Sequence, residues 1–269
     1  MFTDSHCHLN FPELREQLPA VLDAMREAQV DRAICISTRL EAFDDVHALA
    51  TGHAQLWATV GVHPDEEDAQ EPTLDDLLSR AALPRVVGIG ETGLDYYRLN
   101  GRSVADMEWQ RDRYRTHIEA GRRADLPLVI HTRSASDDTL SILRESGGFG
   151  SGASGGVPVS RGVFHCFTET ETVARAALAL GFCISFSGIL TFRNAADLRE
   201  VARFVPLDRT LIETDSPYLA PVPYRGKTNN PSYVPHVARQ IAEIKGLPVE
   251  TVAQATSQNV DRLFNRMAA

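Results

Sequence analysis

The stretch Asp4-Ser5-His6-Cys7-His8 places titratable side chains at alternate positions. In an extended strand alternate residues share a face, so Asp4, His6 and His8 point one way and Cys7 points towards covering helices. Two imidazoles about 7 Å apart at a strand end can converge on one cation. A histidine pair satisfied without a metal has the same spacing, so the motif alone does not choose. Further apolar runs end in the same kind of residue. His63 follows Leu56–Gly61, Glu91 follows Val86–Gly90, His131 follows Leu128–Ile130, His165 follows Val163–Phe164 and Asp215 follows Leu211–Glu213. Five of the nine histidines thus sit at a strand terminus, whereas His47, His53, His117 and His236 read as surface or capping residues. Scattered core histidines would not favour one end of successive strands. His6, His8, His131 and His165 with Glu91 and Asp215 form a mixed imidazole–carboxylate set that suits zinc, manganese, iron or magnesium. A carboxylate such as Glu91 has two oxygens and can bridge two ions. The structural alternatives are an arginine partner for Glu91 and a turn cap for Asp215, which precedes Ser216-Pro217.

The elements that must position these residues alternate along the whole chain. Apolar or β-branched runs at Met1–Asp4, Arg32–Ser37, Leu56–Gly61, Val86–Gly90, Leu128–Ile130, Val163–Phe164, Cys183–Phe186 and Leu211–Glu213 are each followed by helical apolar spacing. Leu14, Leu18, Val21, Leu22 and Met25 show that spacing after the first run. Such alternation predicts parallel strands with right-handed crossovers, and eight units in about 250 residues predict a (β/α)8 TIM barrel. An open doubly wound sheet would carry a glycine-rich loop after the first strand, and none is present there. Pro231–Lys245 and Val249–Arg266 are expected as C-terminal closing helices. No composition shift marks a boundary, so residues 1–269 read as a single domain. The low-complexity stretch Gly147–Ser160 reads as a solvated surface loop on the face opposite the active-site loops.

Composition narrows the class. With 43% hydrophobic and 23% charged residues the chain reads as an ordinary globular protein. No run is long enough to span a membrane and no signal peptide is visible, so a cytoplasmic location is expected. Cys7, Cys35, Cys166 and Cys183 form no C-x-x-C pair and lie in apolar runs, which favours buried free thiols. The net charge of -9 opposes a polyanionic partner unless bound cations offset it, and no basic stripe stands out.

At these positions the sequence resembles the TatD family of metal-dependent deoxyribonucleases, within the amidohydrolase-like superfamily. The resemblance rests on DSHCHLNF at the N-terminus, VGVHP at 60–64, GIGETGLDYY at 88–97, LPLVIHTR at 126–133, FHCF at 164–167, ISFSGILTF at 184–192 and LIETDSPYLAPVPYRGKTNNPSYVPHVA at 211–238. It covers nearly the whole chain. Departures are Thr168-Glu169 after FHCF, Thr132 after His131, and an apparent insertion at 147–160. The resemblance implies two divalent ions (Zn, Mg or Mn), one held by His6, His8, Glu91 and Asp215 and the other by Glu91, His131 and His165. It implies that Glu91 bridges, that Asp215 is the catalytic base, and that His63, Tyr96 and Arg133 contact substrate. Glu213 would support a further ion or a ligand. It also implies hydrolysis of DNA, exonucleolytic on single-stranded or frayed ends. No membrane or protein partner is indicated, and a monomer is favoured although the sequence does not give the oligomeric state. The only lysines are Lys227 and Lys245, so no strand end offers one for carbamylation. Rival expectations are the same barrel acting on a lactone, an amide or an aminoacyl-tRNA ester, and a non-catalytic metal or nucleic-acid binding module.

Overall fold

In the computed structural model the protein is described over residues 1–146 and 161–268; the 147–160 stretch lies outside them. Eight strands pair in parallel in chain order: β1 (Phe2–Cys7), β2 (Val30–Cys35), β3 (Leu56–Val60), β4 (Val86–Asp95), β5 (Leu128–Arg133), β6 (Gly162–Phe164), β7 (Cys183–Phe186) and β8 (Thr210–Ile212). The runs are apolar because both faces of a parallel sheet are covered. The ring closes between β8 and β1. There the Asp215 amide donates to the His6 carbonyl at 2.9 Å and the His8 amide to the Ser216 carbonyl at 2.8 Å. With helices between successive strands, the architecture is the expected (β/α)8 barrel.

Side chains divide between the two faces as the pleat requires. Ile34, Val87, Val129, Val163 and Leu211 pack with Val260, Leu263, Phe264 and Met267 from the end of the chain. Their alternates Ala33, Val86, Leu128, Ile130 and Phe164 belong to a larger apolar layer beneath the helices. Arg266 donates to the carbonyls of Ala81 and Ala124. Those residues end the helices Leu74–Ala81 and Glu108–Ala124, which lead into β4 and β5. The C-terminal segment therefore plugs the barrel where strands begin, leaving the opposite mouth open. Its helices are Val234–Lys245 and Val249–Leu263, flanked by 3-10 turns at Pro231–Tyr233 and Asn265–Ala268. No helix among the described residues is long and apolar enough to cross a membrane.

Strand limits depart from expectation in an informative direction. β1, β4 and β5 run on to Cys7, Asp95 and Arg133, so His6, Glu91 and His131 lie inside pairing segments rather than after them. Buried polar side chains at the strand tops interrupted the apolar runs without interrupting the strands. Cys7, Cys35 and Cys183 are buried free thiols, but Cys166 lies in the loop after β6 and lines the open mouth.

His117 is a further correction. It is fully buried in the helix Glu108–Ala124 rather than at the surface. Its Nδ1 contacts the Arg113 carbonyl at 2.8 Å and its Nε2 accepts from the Val62 amide at 3.0 Å. Burial pushes its pKa down to about 4. An unfolded histidine titrates near 6.5, so the neutral ring stabilises the fold above that pH, and stability drains as pH falls towards 4. In chelator, wild type should lose about 2 kcal/mol more than His117→Gln between pH 7 and pH 5, measured by urea denaturation. Equal losses would remove His117 as the source.

Candidate metal centre

Glu91 is the convergence point at the open mouth. Its Oε1 lies 2.7 Å from His165 Nε2, 3.2 Å from His131 Nδ1 and 3.3 Å from His63 Nε2. Its Oε2 lies 3.3 Å from His6 Nε2 and 3.9 Å from His8 Nε2. Asp215 Oδ1 completes the group at 3.5 Å from His6 and 3.4 Å from His8. The structure thus brings together all six expected ligands and His63. Backbone contacts set the carboxylate's height: the Glu91 amide donates to Ser37 O at 2.8 Å, and Thr59 Oγ1 donates to Gly90 O at 2.6 Å. Gly93, at φ +130°, lets β4 lie against β5, since a Cβ there would sit 2.0 Å from the His131 carbonyl oxygen.

Whether this set suits a cation is decided by where the imidazole protons are held. His8 Nδ1 lies 3.2 Å from the Ile36 carbonyl, which can only accept, so Nδ1 carries the proton and the Nε2 lone pair faces inward. His131 Nε2 faces Asp95 at 3.0 Å, leaving Nδ1 for the centre. His165 Nδ1 faces Glu213 at 3.3 Å, leaving Nε2. Such outer hydrogen bonds orient metal-binding histidines. Lone pairs that confront carboxylate oxygens across about 3 Å need a proton or a cation between them. Ligand atoms of His6, His8 and Glu91 lie within 4.8 Å of one another, as do those of His6, His165 and Asp215 and those of His63, Glu91 and His131. The donor set fits divalent metal.

His63 is held the other way round. Its Nδ1 accepts from the Asp65 amide at 3.0 Å, so the proton is on Nε2, which points inward as a donor. The helix Glu108–Ala124 fixes the loop that carries it. Arg113 donates to the His63 and Glu66 carbonyls, Gln110 to the Pro64 carbonyl, and His117 accepts from Val62.

The electrostatics follow from this crowding. Burial alone would raise the Glu91 carboxyl, but His165, His63 and His6 together with the His131 hydrogen bond hold it well below the usual range. Burial likewise opposes ionisation of Asp215, and His8, His6 and His165 outweigh it and keep the carboxyl low. Asp4 shares the β1 face but takes no part in the cluster. Its carboxylate accepts from the Thr214 amide and hydroxyl and from the His6 amide, fastening β1 to the segment after β8, and burial raises it to about 8.

A profile described as TatD related DNase matches residues 3–265. This chain belongs to the TatD family. The metal-dependent hydrolase YcfH of Escherichia coli K12 is 43% identical over 266 residues, covering 97% of this chain and 95% of its own. YabD of Bacillus subtilis, also a metal-dependent hydrolase by name, is 37% identical over 265 residues, covering 98% and 99%. The crystal structure of YjjV, a TatD homologue from Escherichia coli K12, superposes with a TM-score of 0.86 at 28% identity, covering 98% of each chain. This TatD-family chain is accordingly a metal-dependent hydrolase.

The cluster lies in a cleft of about 900 Å³. Arg133 lines it, its guanidinium 3.6 Å above the exposed Tyr97 ring. Tyr96, expected to contact substrate, does not line it: its hydroxyl is taken up by Asp138 at 2.7 Å and Arg111 at 3.0 Å. Residues 91, 93 and 95 share one face of the strand, which ends at Asp95, just before Tyr96. That period also signals the residue the sequence reading missed, Asp95, two positions beyond Gly93. Glu213 faces His165 Nδ1 and accepts from the Cys166 amide at 2.6 Å, so it stands behind the His165 ring. Losing an outer hydrogen bond to a ligand typically costs 10–100-fold in metal affinity. Asp95→Ala should show roughly that loss in calorimetric titration of chelator-stripped protein with Zn or Mn. Wild-type affinity would show that Asp95 does not set the His131 ring.

Proposed function

We propose that this TatD-family hydrolase cleaves phosphodiester bonds of single-stranded or frayed DNA from an end, using two divalent ions and a water. His6, His8, Glu91 and Asp215 would hold one ion, and Glu91, His131 and His165 the other, with Glu91 between them. The carrying observation is the opposed tautomers around Glu91. His8, His131 and His165 offer lone pairs to cations, whereas His63 offers a proton to an anionic oxygen. Arg133 at the cleft wall adds a further donor suited to phosphate.

Divalent ions supply Lewis acidity and lower the pKa of bound water towards neutrality. Asp215, ionised and turned towards His6 and His8, accepts the proton of the attacking water. His63 Nε2 donates to the phosphoryl oxygen as charge develops on it. Loop contacts from Arg113, Gln110 and His117 keep that donor in place. A cytoplasmic location accords with the buried free thiols of Cys7, Cys35 and Cys183.

The test is a substrate panel with and without chelator: 5′-labelled single-stranded DNA, a p-nitrophenyl carboxylic ester, a lactone and an aminoacyl-tRNA. Wild type should shorten the DNA only when metal is restored. Glu91→Gln and Asp215→Asn should each lose at least about 10²-fold in kcat, in the range a positioned proton acceptor contributes. Metal-dependent turnover of the ester, lactone or aminoacyl-tRNA with intact DNA would replace this reading with a different bond.

A further inference from the structure

Acidic residues are dense on one side of the cleft's rim and sparse on the other, although Glu13, Asp215 and Glu66 all act on the Tyr218 hydroxyl. β3 and β7 lie four places apart in the eight-strand ring, so the loops that follow them face each other across the mouth. Beyond β3 come Asp65, Glu66, Glu67, Asp68 and Glu71. Arg98, Arg102 and Arg113 on that side pair with Asp65, Glu67 and Glu71. Residues 216–239, beyond β8, contain no Asp or Glu in a chain that has 36. Among the described residues Arg225 and Lys227 have no carboxylate partner and rest on aromatic rings instead, Arg225 at 3.6 Å from Phe192 and Lys227 at 5.7 Å from Tyr224. Neither lines the cleft itself.

These cations continue a surface that starts at the metal centre. Phe11 stacks on His8 at 4.8 Å and meets Tyr218 edge-on at 6.2 Å. Tyr218 lines the cleft yet is 54% exposed, so its ring has a free side. Next to it Leu219 and Ile189 form the cleft wall. The Phe192 amide bonds the Ile189 carbonyl at 2.9 Å, placing Phe192 and its Arg225 just outside that wall. The Val222 amide donates to Thr191 Oγ1 at 2.9 Å and ties the two loops together. Buried Asn229 donates to the carbonyls of Thr214 and Tyr218, so the platform is fixed from below. Exposed aromatic faces beside unpaired cations are how proteins hold single strands without reading sequence.

We infer that a single-stranded polynucleotide leaves the metal centre over the β7 and β8 loops. Tyr218 stacks a base there, and Arg225 and Lys227 hold phosphates beyond the cleft. The loop after β3, whose carboxylates are mostly paired with arginines, offers the strand no comparable pair of free cations. A mononucleotide ester in the cleft does not reach these cations; a polymer does. The inference rests on the reading of the site as a DNA hydrolase and adds the direction in which the strand lies.

The experiment uses metal-loaded protein and fluorescent, hydrolysis-resistant phosphorothioate oligothymidylates of two and ten residues, with anisotropy as the readout. Wild type should bind the longer strand about tenfold more tightly, as two extra phosphate contacts and one stacked base allow. The double variant Arg225→Ala/Lys227→Ala should lose most of that preference, and its salt dependence should be shallower by roughly 1.4 in log–log slope. The exchange Arg225→Lys/Lys227→Arg should keep the preference, which separates loss of charge from damage to the loop. A double alanine variant that retains the tenfold preference, or a wild type with no length preference, overturns the inference. A wild type that binds with this preference but cuts no DNA removes the nuclease reading and leaves the strand track standing.

Discussion

Glu91 is a carboxylate almost wholly withdrawn from water, and such a group is costly unless cationic or proton-donating partners surround it. The barrel answers with imidazoles from four separate strands: His6 and His8 from β1, His63 beyond β3, His131 from β5 and His165 beyond β6. Five rings reach one carboxylate only if these strand tops end at matching heights. Much of the local backbone serves that condition, from the Ser37 and Thr59 contacts that set the height of Glu91 to the close approach of β4 and β5 at Gly93. The same crowding that keeps Glu91 ionised makes the cluster receptive to metal.

Behind the imidazoles stands a layer that decides which nitrogen each ring presents. Asp95, Glu213 and the Ile36 carbonyl turn lone pairs inward, while the Asp65 amide turns a proton inward at His63. The two behaviours arise from one residue type and differ only in the neighbour behind the ring. One helix, Glu108–Ala124, supplies Gln110, Arg113 and His117 to the loop of His63. Its buried face thus carries polar anchors where a barrel helix would ordinarily carry only apolar contacts.

How much of this was legible in the sequence depended on whether a signal was periodic and local. The barrel was legible because eight apolar runs recur with helices between them. The side-chain cluster was legible because His6, His8, Glu91, His131, His165 and Asp215 each follow or top such a run. Asp95 was hidden because no apolar run ends at it, although the two-residue period that passes through Glu91 and Gly93 reaches it. His117 was obscured by the polar residues around it, yet Tyr114, Ile118 and Gly121 mark the stripe on which it is buried. The basic rim had no linear signature: Phe192 and Arg225 lie far apart in the chain and become neighbours only through folding.

The barrel seam has a consequence for when the chain can act. The hydrogen bonds that join the first strand to the segment after the last one run through His6, His8 and Asp215 themselves. Ring closure and assembly of the centre therefore depend on the same contacts. A nascent chain in which Asp215 has not yet been synthesised lacks one wall of the centre, as does a molecule whose ends have frayed apart. An ion held by His6, His8 and Asp215 would fasten the seam in return, as any ligand of the closed form alone must. Completion of the fold is in this way tied to completion of the cluster, and a cation held there would act as the clasp on the ring.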